Sequence, residues 1–353
     1  MLSENEIIGL LQHTDKEENR KLYNRARESK HRLCGKNVYI RGLVEISNIC
    51  QKDCYYCGIR KSNKNVQRYL MTEDEIVNSA KWAYDNGYAS LVLQSGERID
   101  ENFIVFVENV LKKIQQFSNK GIHVTISFGE QTRETYKRWF EAGAHRYLLR
   151  IESSNKKLYE WLHPKSHTFE NRVEALNNIK ETGYQLGTGV MIGLPNQTYA
   201  DLASDIKFFH DIDVDMVGMG PYLPHKDAPL PQGEYYLPTD KDELLELSLK
   251  MIAVTRICLP DINIASTTAL QAIKSFGREQ GILAGANVFM PNISDVIYRP
   301  NYQLYDNKPC IDDTSTECLE CAGKRIEMIG EEIRYDVWGD SQHYLNKVKS
   351  GGK

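Results

Sequence analysis

The chain has 353 residues, and its 41% hydrophobic, 26% charged and 10% aromatic content is that of an ordinary globular protein, which excludes disordered, collagen-like and fibrous classes. A net charge of -4, from 44 Lys and Arg against 48 Asp and Glu, offers no basic excess for a nucleic-acid partner. No run approaches the roughly 18 apolar residues of a membrane span, and the acidic start at residues 1–6 lacks the features of a secretory signal, so a cytoplasmic protein with no membrane partner is expected.

In chain order, Ser3 and Glu6 make a capping-box pattern ahead of Ile7, Ile8, Leu10 and Leu11, and the charged stretch to about Lys30 extends it into two short helices. Short β-branched or aliphatic runs then alternate with loops and amphipathic segments. Strands are predicted at residues 38–46, 90–94, 122–127, 146–151, 185–192, 216–219, 263–266 and 287–290. A second capping box, Thr72 with Glu75, opens a helix that carries Ile76, Ala80, Ala83 and Tyr84 on one face and ends at Gly87.

Eight strand–helix alternations predict a parallel α/β sheet closed into a (β/α)8 TIM barrel, and the span 38–290 matches the roughly 250 residues such a barrel takes. An open doubly wound sheet is the other arrangement. The expected organisation is an N-terminal helical segment at 1–35, the barrel at 36–292 and a C-terminal extension at 293–353 that turns helical near 321–329, in a monomer.

Eight cysteines in a reducing compartment are not expected to form disulfides, and six of them cluster. Strand one runs into Cys50, Cys54 and Cys57, a C-x3-C-x2-C spacing. Three thiolates on one loop can hold three irons of a cubane and leave the fourth open to a chelating molecule. The structural alternative is a zinc site completed by Cys34 or His31.

This spacing at the end of strand one, with Tyr56 just before the last cysteine, resembles the radical S-adenosylmethionine superfamily. The resemblance implies a 4Fe-4S cluster whose open iron takes the amino and carboxylate groups of S-adenosylmethionine. Reduction of that cluster then cleaves the sulfonium to a 5'-deoxyadenosyl radical. Gln94, Ser95, Gly96 and Glu97 resemble the superfamily's Gly-Gly-Glu element for the methionine amino group, with Ser95 in place of the first glycine.

After strand three, Thr125 and Ser127 offer hydroxyls to the site or cap a strand end. Arg146, Leu148, Arg150 and Glu152 share one face by the two-residue period, and buried charges need partners. Glu152 is a candidate for ribose hydroxyls and Arg150 for a carboxylate; a structural Arg150–Glu152 pair is the alternative. Arg172 heads a helix from which it can meet the cofactor carboxylate. The glycines around Met191 let a flat adenine approach closely, or turn a barrel corner.

Longer strings narrow the resemblance. Residues 39–42, 93–97, 146–150, 169–172, 193–195, 265–269, 290–292 and 302–305 are similar to the HydE family of FeFe-hydrogenase maturases, a likeness that runs from about residue 36 to 340. It implies a complete barrel around a long cavity, and an organometallic substrate, an iron–cysteine complex carrying CO and cyanide, whose cysteine sulfur the radical attacks during H-cluster assembly. Arg41, Arg146, Thr267, Thr268, Tyr302 and Tyr305 would hold this substrate. The implied partners are the radical tyrosine lyase HydG, the GTPase scaffold HydF and an electron donor.

Cys310, Cys318 and Cys321 match an accessory site that holds a 2Fe-2S or 4Fe-4S cluster in some members; zinc or idle thiols are the alternatives. Cys34 and Cys258 are expected in the core. Biotin synthase and methylornithine synthase are the nearest rival activities, and a zinc-binding structural module is the rival of another class. The Thr267/Thr268 and Tyr302/Tyr305 pairs favour the maturase.

Overall fold

The computed structural model describes residues 1–230, 233–238 and 240–351. Strand one is a single extended run interrupted at Arg41, giving β1 (Asn37–Ile40) and β2 (Gly42–Ser47). There follow β3 (Ser90–Ser95), β4 (His123–Ser127), β5 (Ala144–Leu148), β6 (Gln185–Thr188), β7 (Met191–Ile192), β8 (Met216–Val217), β9 (Gly220–Pro221), β10 (Asn263–Ser266), β11 (Val288–Phe289) and β12 (Glu332–Arg334). Every paired strand runs parallel to its neighbours.

The ladder runs from β1 through β11, β10, β8, β6, β5, β4 and β3 to β2. Because β1 leads directly into β2, the two ends meet. The Arg41 amide donates to Phe289 O at 3.0 Å, Leu43 to Pro291 O at 2.9 Å, and Ile293 to Leu43 O at 2.8 Å. The result is the closed eight-position barrel that the alternation predicts.

Two of those positions are split where glycines cross. A Cβ on Gly189 would stand 2.0 Å from Gly218 O, so the chains approach backbone to backbone there, and the ladder resumes as the separate pair β7 and β9. Both capping boxes form, Ser3 with Glu6 and Thr72 with Glu75. The first helix is Glu4–Gln12, and the second, longer than expected, runs Lys16–Cys34. Both pack on the helix Lys241–Cys258. In the tail, Thr314 and Glu317 cap a helix, Ser315–Met328, that begins before the expected 321.

The extension does something the sequence gives no sign of. β12 pairs with β1, adding a strand from beyond residue 292 to the barrel's sheet. The segment after it corks the lower, N-terminal end of the barrel: Gly339 O accepts from Arg41 Nη2 at 3.0 Å and Asn263 Nδ2 at 2.8 Å. Asp340 takes Arg146 and, at 2.7 Å, Gln185 Nε2. Outside this floor, His145, His123 and Trp338 stack with centroids 3.8 Å apart at each step.

Candidate active site

The upper ends of the strands enclose a cavity of about 330 Å3, within the usual range for a small-molecule site. Cys50, Cys54 and Cys57 lie on its wall, on the loop that follows β2. Arg68 fastens this loop, donating to the carbonyls of Asn48, Ile59 and Arg60 at 2.6–2.7 Å and of Asn63 at 3.1 Å. Tyr56 is held by His163 Nε2 at 3.4 Å. Gly58 lies under two other loops: a Cβ there would sit 2.2 Å from Gln303 O and 2.4 Å from the His225 ring.

Burial raises all three thiol pKa values, Cys54 to about 12 and Cys57 well above the ordinary range. Among the described residues no three His, Cys, Asp or Glu side chains already form a metal cage. The thiols do share one cavity and lie within electrostatic reach of one another. Such a set favours a cationic metal centre that displaces the protons over free thiolates. Cys34 and His31 lie elsewhere: Cys34 donates to Lys30 O at 3.3 Å and His31 bonds Glu331 at 2.9 Å. This removes the zinc alternative that needed either as a fourth ligand. Cys258 is buried in the main core, as expected.

The Gln94–Glu97 stretch joins the cysteine loop. The Glu97 amide points at Cys50 Sγ at 3.3 Å, and Gln51 Nε2 donates to Glu97 Oε1 at 2.9 Å. Gly96 is obligatory in this contact, since a Cβ would lie 2.4 Å from Ile49 O and 2.7 Å from Cys50 Cβ. Ser95 donates to Gly96 O at 2.6 Å.

A charged network missed by sequence reasoning backs this turn. Lys52, inside the cysteine loop, lies 3.4 Å from Glu97 and 2.7 Å from Glu130, and Glu130 holds Arg172 Nε at 2.6 Å. Burial alone would raise the Glu130 pKa, but Arg172 and Lys52 bring it to about 2. Lys52 was legible only as a lysine between two cysteines, which is no signal.

Arg172 also donates to Arg150 O. Arg150 pairs with Glu152 at 3.1 Å, the alternative the sequence left open, and both line the cavity with Met191. The strand alternation stops at Leu148, and Glu152 has a φ of 65°, so the shared face of four residues does not continue as a strand. Asp205 holds the following turn, its Oδ1 accepting from the Ser154 amide at 2.7 Å and hydroxyl at 2.6 Å.

Burial pushes the Asp205 carboxyl up to about 7. An unfolded Asp titrates near about 4, so the folded chain holds this proton more tightly. Stability is therefore full below about pH 4 and falls as pH rises through about 7, by at most about 4 kcal/mol. Asp205→Asn is expected to gain on the parent chain in urea unfolding between about pH 5 and pH 8; a difference constant over that range counts against this.

Thr267, Thr268, Tyr302 and Tyr305 line the cavity, with Thr267 Oγ1 donating to Met219 O at 3.2 Å. The structure does not bring Arg41, Arg146 and Thr125 to it. Both arginines are turned to the cork, Arg146 also reaching Ser90 Oγ at 3.1 Å. Thr125 stands level with Arg146 in the register, and Ser127, one pleat higher, lines the cavity in its place. Arg41 Nε, Arg146 Nε and Thr125 Oγ1 have no hydrogen-bond partner in that lower layer.

The second cysteine set meets in a pocket of about 40 Å3, lined by Cys310, Cys318 and Cys321 with Asp313. That is a few times the space one water needs. Cys310 has a φ of 60°, and the buried Arg299 fixes the surrounding loop by donating to Cys310 O at 3.1 Å and reaching Cys318 Sγ at 3.7 Å.

The chain matches the radical SAM superfamily over residues 44–209. It is 44% identical to the [FeFe] hydrogenase maturase subunit HydE of Thermotoga maritima over 94% of this chain and 91% of that protein. The chain belongs to the HydE family of radical SAM enzymes. A 3-methylornithine synthase of Methanosarcina acetivorans is 28% identical over 81% of the chain and 78% of its own length. A crystal structure of methylornithine synthase superposes with a TM-score of 0.79 at 23% identity, covering 95% of each chain, and supports the fold. Membership of the superfamily implies a 4Fe-4S cluster and S-adenosylmethionine, which the half-buried thiol set and the adjoining cavity, mostly apolar with Glu97, Arg150, Glu152 and Arg172 in its lining, fit. Among the described residues no helix is long and apolar enough to cross a membrane.

Proposed function

We propose that this enzyme acts in maturation of the FeFe-hydrogenase diiron centre, on an iron–cysteine complex carrying CO and cyanide. The observation that carries this reading is the near full-length 44% identity to the Thermotoga maritima maturase subunit. Cys50, Cys54 and Cys57 would hold the 4Fe-4S cluster. Tyr56, Gln94, Ser95, Gly96, Glu97, Arg150, Glu152, Arg172 and Met191 would surround S-adenosylmethionine. Cluster and cofactor together supply a 5'-deoxyadenosyl radical by one-electron cleavage of the sulfonium.

The protein's own part is binding, orientation and exclusion of water. Arg172, fixed by Glu130 and Arg150 O, takes the methionine carboxylate. The Glu97 carboxylate takes the ammonium, and Glu152 accepts from the ribose. A small apolar cluster of Leu158, Leu162, Met191 and Leu194, with Tyr56 and Tyr222 against it, keeps that side dry. Thr267, Thr268, Tyr302 and Tyr305 hold the substrate, whose cysteine sulfur is the point of attack. Arg41, Arg146 and Thr125, below the cavity, are left out of the ligand set. Cys310, Cys318 and Cys321 would hold an accessory iron–sulfur centre, with Arg278, Arg299 and Arg325 offsetting its charge. A HydG-type lyase, a HydF-type scaffold and an external electron donor are the partners this role needs.

Two measurements test the reading. Anaerobic reconstitution is expected to give the EPR signal of a reduced cubane and reductant-dependent 5'-deoxyadenosine; stoichiometric zinc without that signal overturns it. Added to a maturation extract that lacks only the HydE component, the reconstituted protein is expected to restore hydrogen evolution. Deoxyadenosine formation without restoration passes the substrate question to the biotin and methylornithine synthase chemistries.

A further inference from the structure

The cysteine loop is tied twice to the end of one short helix, Lys156–Leu162. The Tyr55 amide donates to Leu162 O at 3.0 Å. The next side chain, Tyr56, meets the next residue, His163, with its hydroxyl 3.4 Å from Nε2. His163 is only 2% exposed. Tyr159 stacks on its imidazole with centroids 4.1 Å apart, and the Tyr56 ring meets the imidazole edge-on, at 88°.

This packing settles where the hydrogens lie. Nδ1 stands 2.7 Å from Tyr159 O, and a carbonyl only accepts, so Nδ1 carries the hydrogen. Burial, with the Arg172 charge nearby, keeps the ring neutral and pushes its pKa down to about 3. Nε2 is therefore a bare lone pair, to which the Tyr56 hydroxyl donates. A phenol has one hydrogen to give. The other group beside that hydroxyl is Cys54, close enough for the phenol to counter part of the rise that burial imposes on the thiol pKa.

We propose that His163 is a positioning residue for the iron–sulfur centre: by claiming the phenolic hydrogen of Tyr56, it withholds a hydrogen bond from the Cys54 sulfur. Hydrogen bonds to cluster sulfurs stabilise the reduced, more negative state and raise the potential. Withholding one keeps the centre a stronger reductant, which cleavage of a sulfonium demands. The Tyr55–Leu162 bond anchors the loop backbone separately, so the imidazole can be removed with the loop still tied. This role presupposes that Cys50, Cys54 and Cys57 hold the 4Fe-4S cluster.

A redox titration of the reconstituted protein without S-adenosylmethionine, with the reduced cubane counted by EPR, reads the midpoint directly. His163→Phe keeps a ring between Tyr159 and Tyr56 but no acceptor, and is expected to favour the reduced state about tenfold, about 59 mV upward for one electron. His163→Gln, whose amide oxygen can still accept from the phenol, is expected to stay within about twofold of the parent chain. Adding Tyr56→Phe to His163→Phe is expected to return the midpoint, because no hydroxyl is left to turn. An unmoved midpoint in His163→Phe overturns the proposal, as does a shift that persists in the double variant. Should His163→Phe not fold, Tyr56→Phe alone is expected to match the parent midpoint; a fall of about tenfold would show the phenol already bonded to Cys54, and overturns the proposal. A parent chain that forms no cubane overturns the cluster assignment and this role with it, whereas a cubane with an unmoved midpoint overturns the role alone.

Discussion

Cys54→Ala is expected to bring reductive cleavage of S-adenosylmethionine to background, while Cys318→Ala leaves it within about threefold of the parent chain. Cys54 lies on the cavity wall beside Cys50 and Cys57, on a loop held by the four carbonyl contacts of Arg68. Removing one thiol leaves two ligands where a cubane with one open iron needs three. Cys318 lines the outer pocket, on the tail helix, and does not line the active-site cavity. Its loss should lower total iron without touching the site of cleavage. The assay is 5'-deoxyadenosine formed after dithionite reduction, read beside iron and sulfide content. Equal loss of cleavage in both variants would show that the two cysteine sets work as one.

Gly96→Ala should be nearly as severe although it removes no ligand. The added methyl would stand 2.4 Å from Ile49 O and 2.7 Å from Cys50 Cβ, and the first of these is backbone that cannot rotate away. Either the Ser95–Glu97 turn or the first cysteine must move by a large fraction of an ångström. Misplacement on that scale next to reacting groups costs about a hundredfold in rate. Iron incorporation is expected to fall with it, because Cys50 is both neighbour and ligand. A variant with parental iron content and parental deoxyadenosine yield would mean that the turn has slack which its hydrogen bonds to Gln51 and Cys50 do not suggest.

Most of what places the site could be read in the sequence, since it is carried by short-range signals. Strand-to-loop transitions, capping boxes and the spacing of Cys50, Cys54 and Cys57 all depend on residues within a few positions of each other. The family strings then tied those local features to one chemistry. What escaped has the opposite character. Alternation along β4 and β5 shows which face Thr125 and Arg146 occupy but not at what height in the barrel, and height is what separates them from Ser127 and Arg150. Lys52, Glu130 and Arg172 become a network only when two loops and the first turn of the helix Phe169–Thr182 converge. Arg278 carries no signal in the sequence, and its place in the wall between the active-site cavity and the Cys310 pocket exists only in three dimensions. β12 has three residues with a single apolar side chain, Ile333, too short a run to mark a strand; it pairs because the tail returns to β1.

The segment around Gly339 has a consequence for traffic. A barrel stoppered below by Trp338, Gly339 and Asp340 leaves the strand-top side as the route of passage, so cofactor and substrate use the same doorway beneath the loops that carry Gln303 and His225. Whichever molecule lies deeper has to arrive first and depart last. The cork thereby imposes an order on the catalytic cycle from the end of the barrel farthest from the chemistry, and turnover should follow compulsory-order rather than random kinetics.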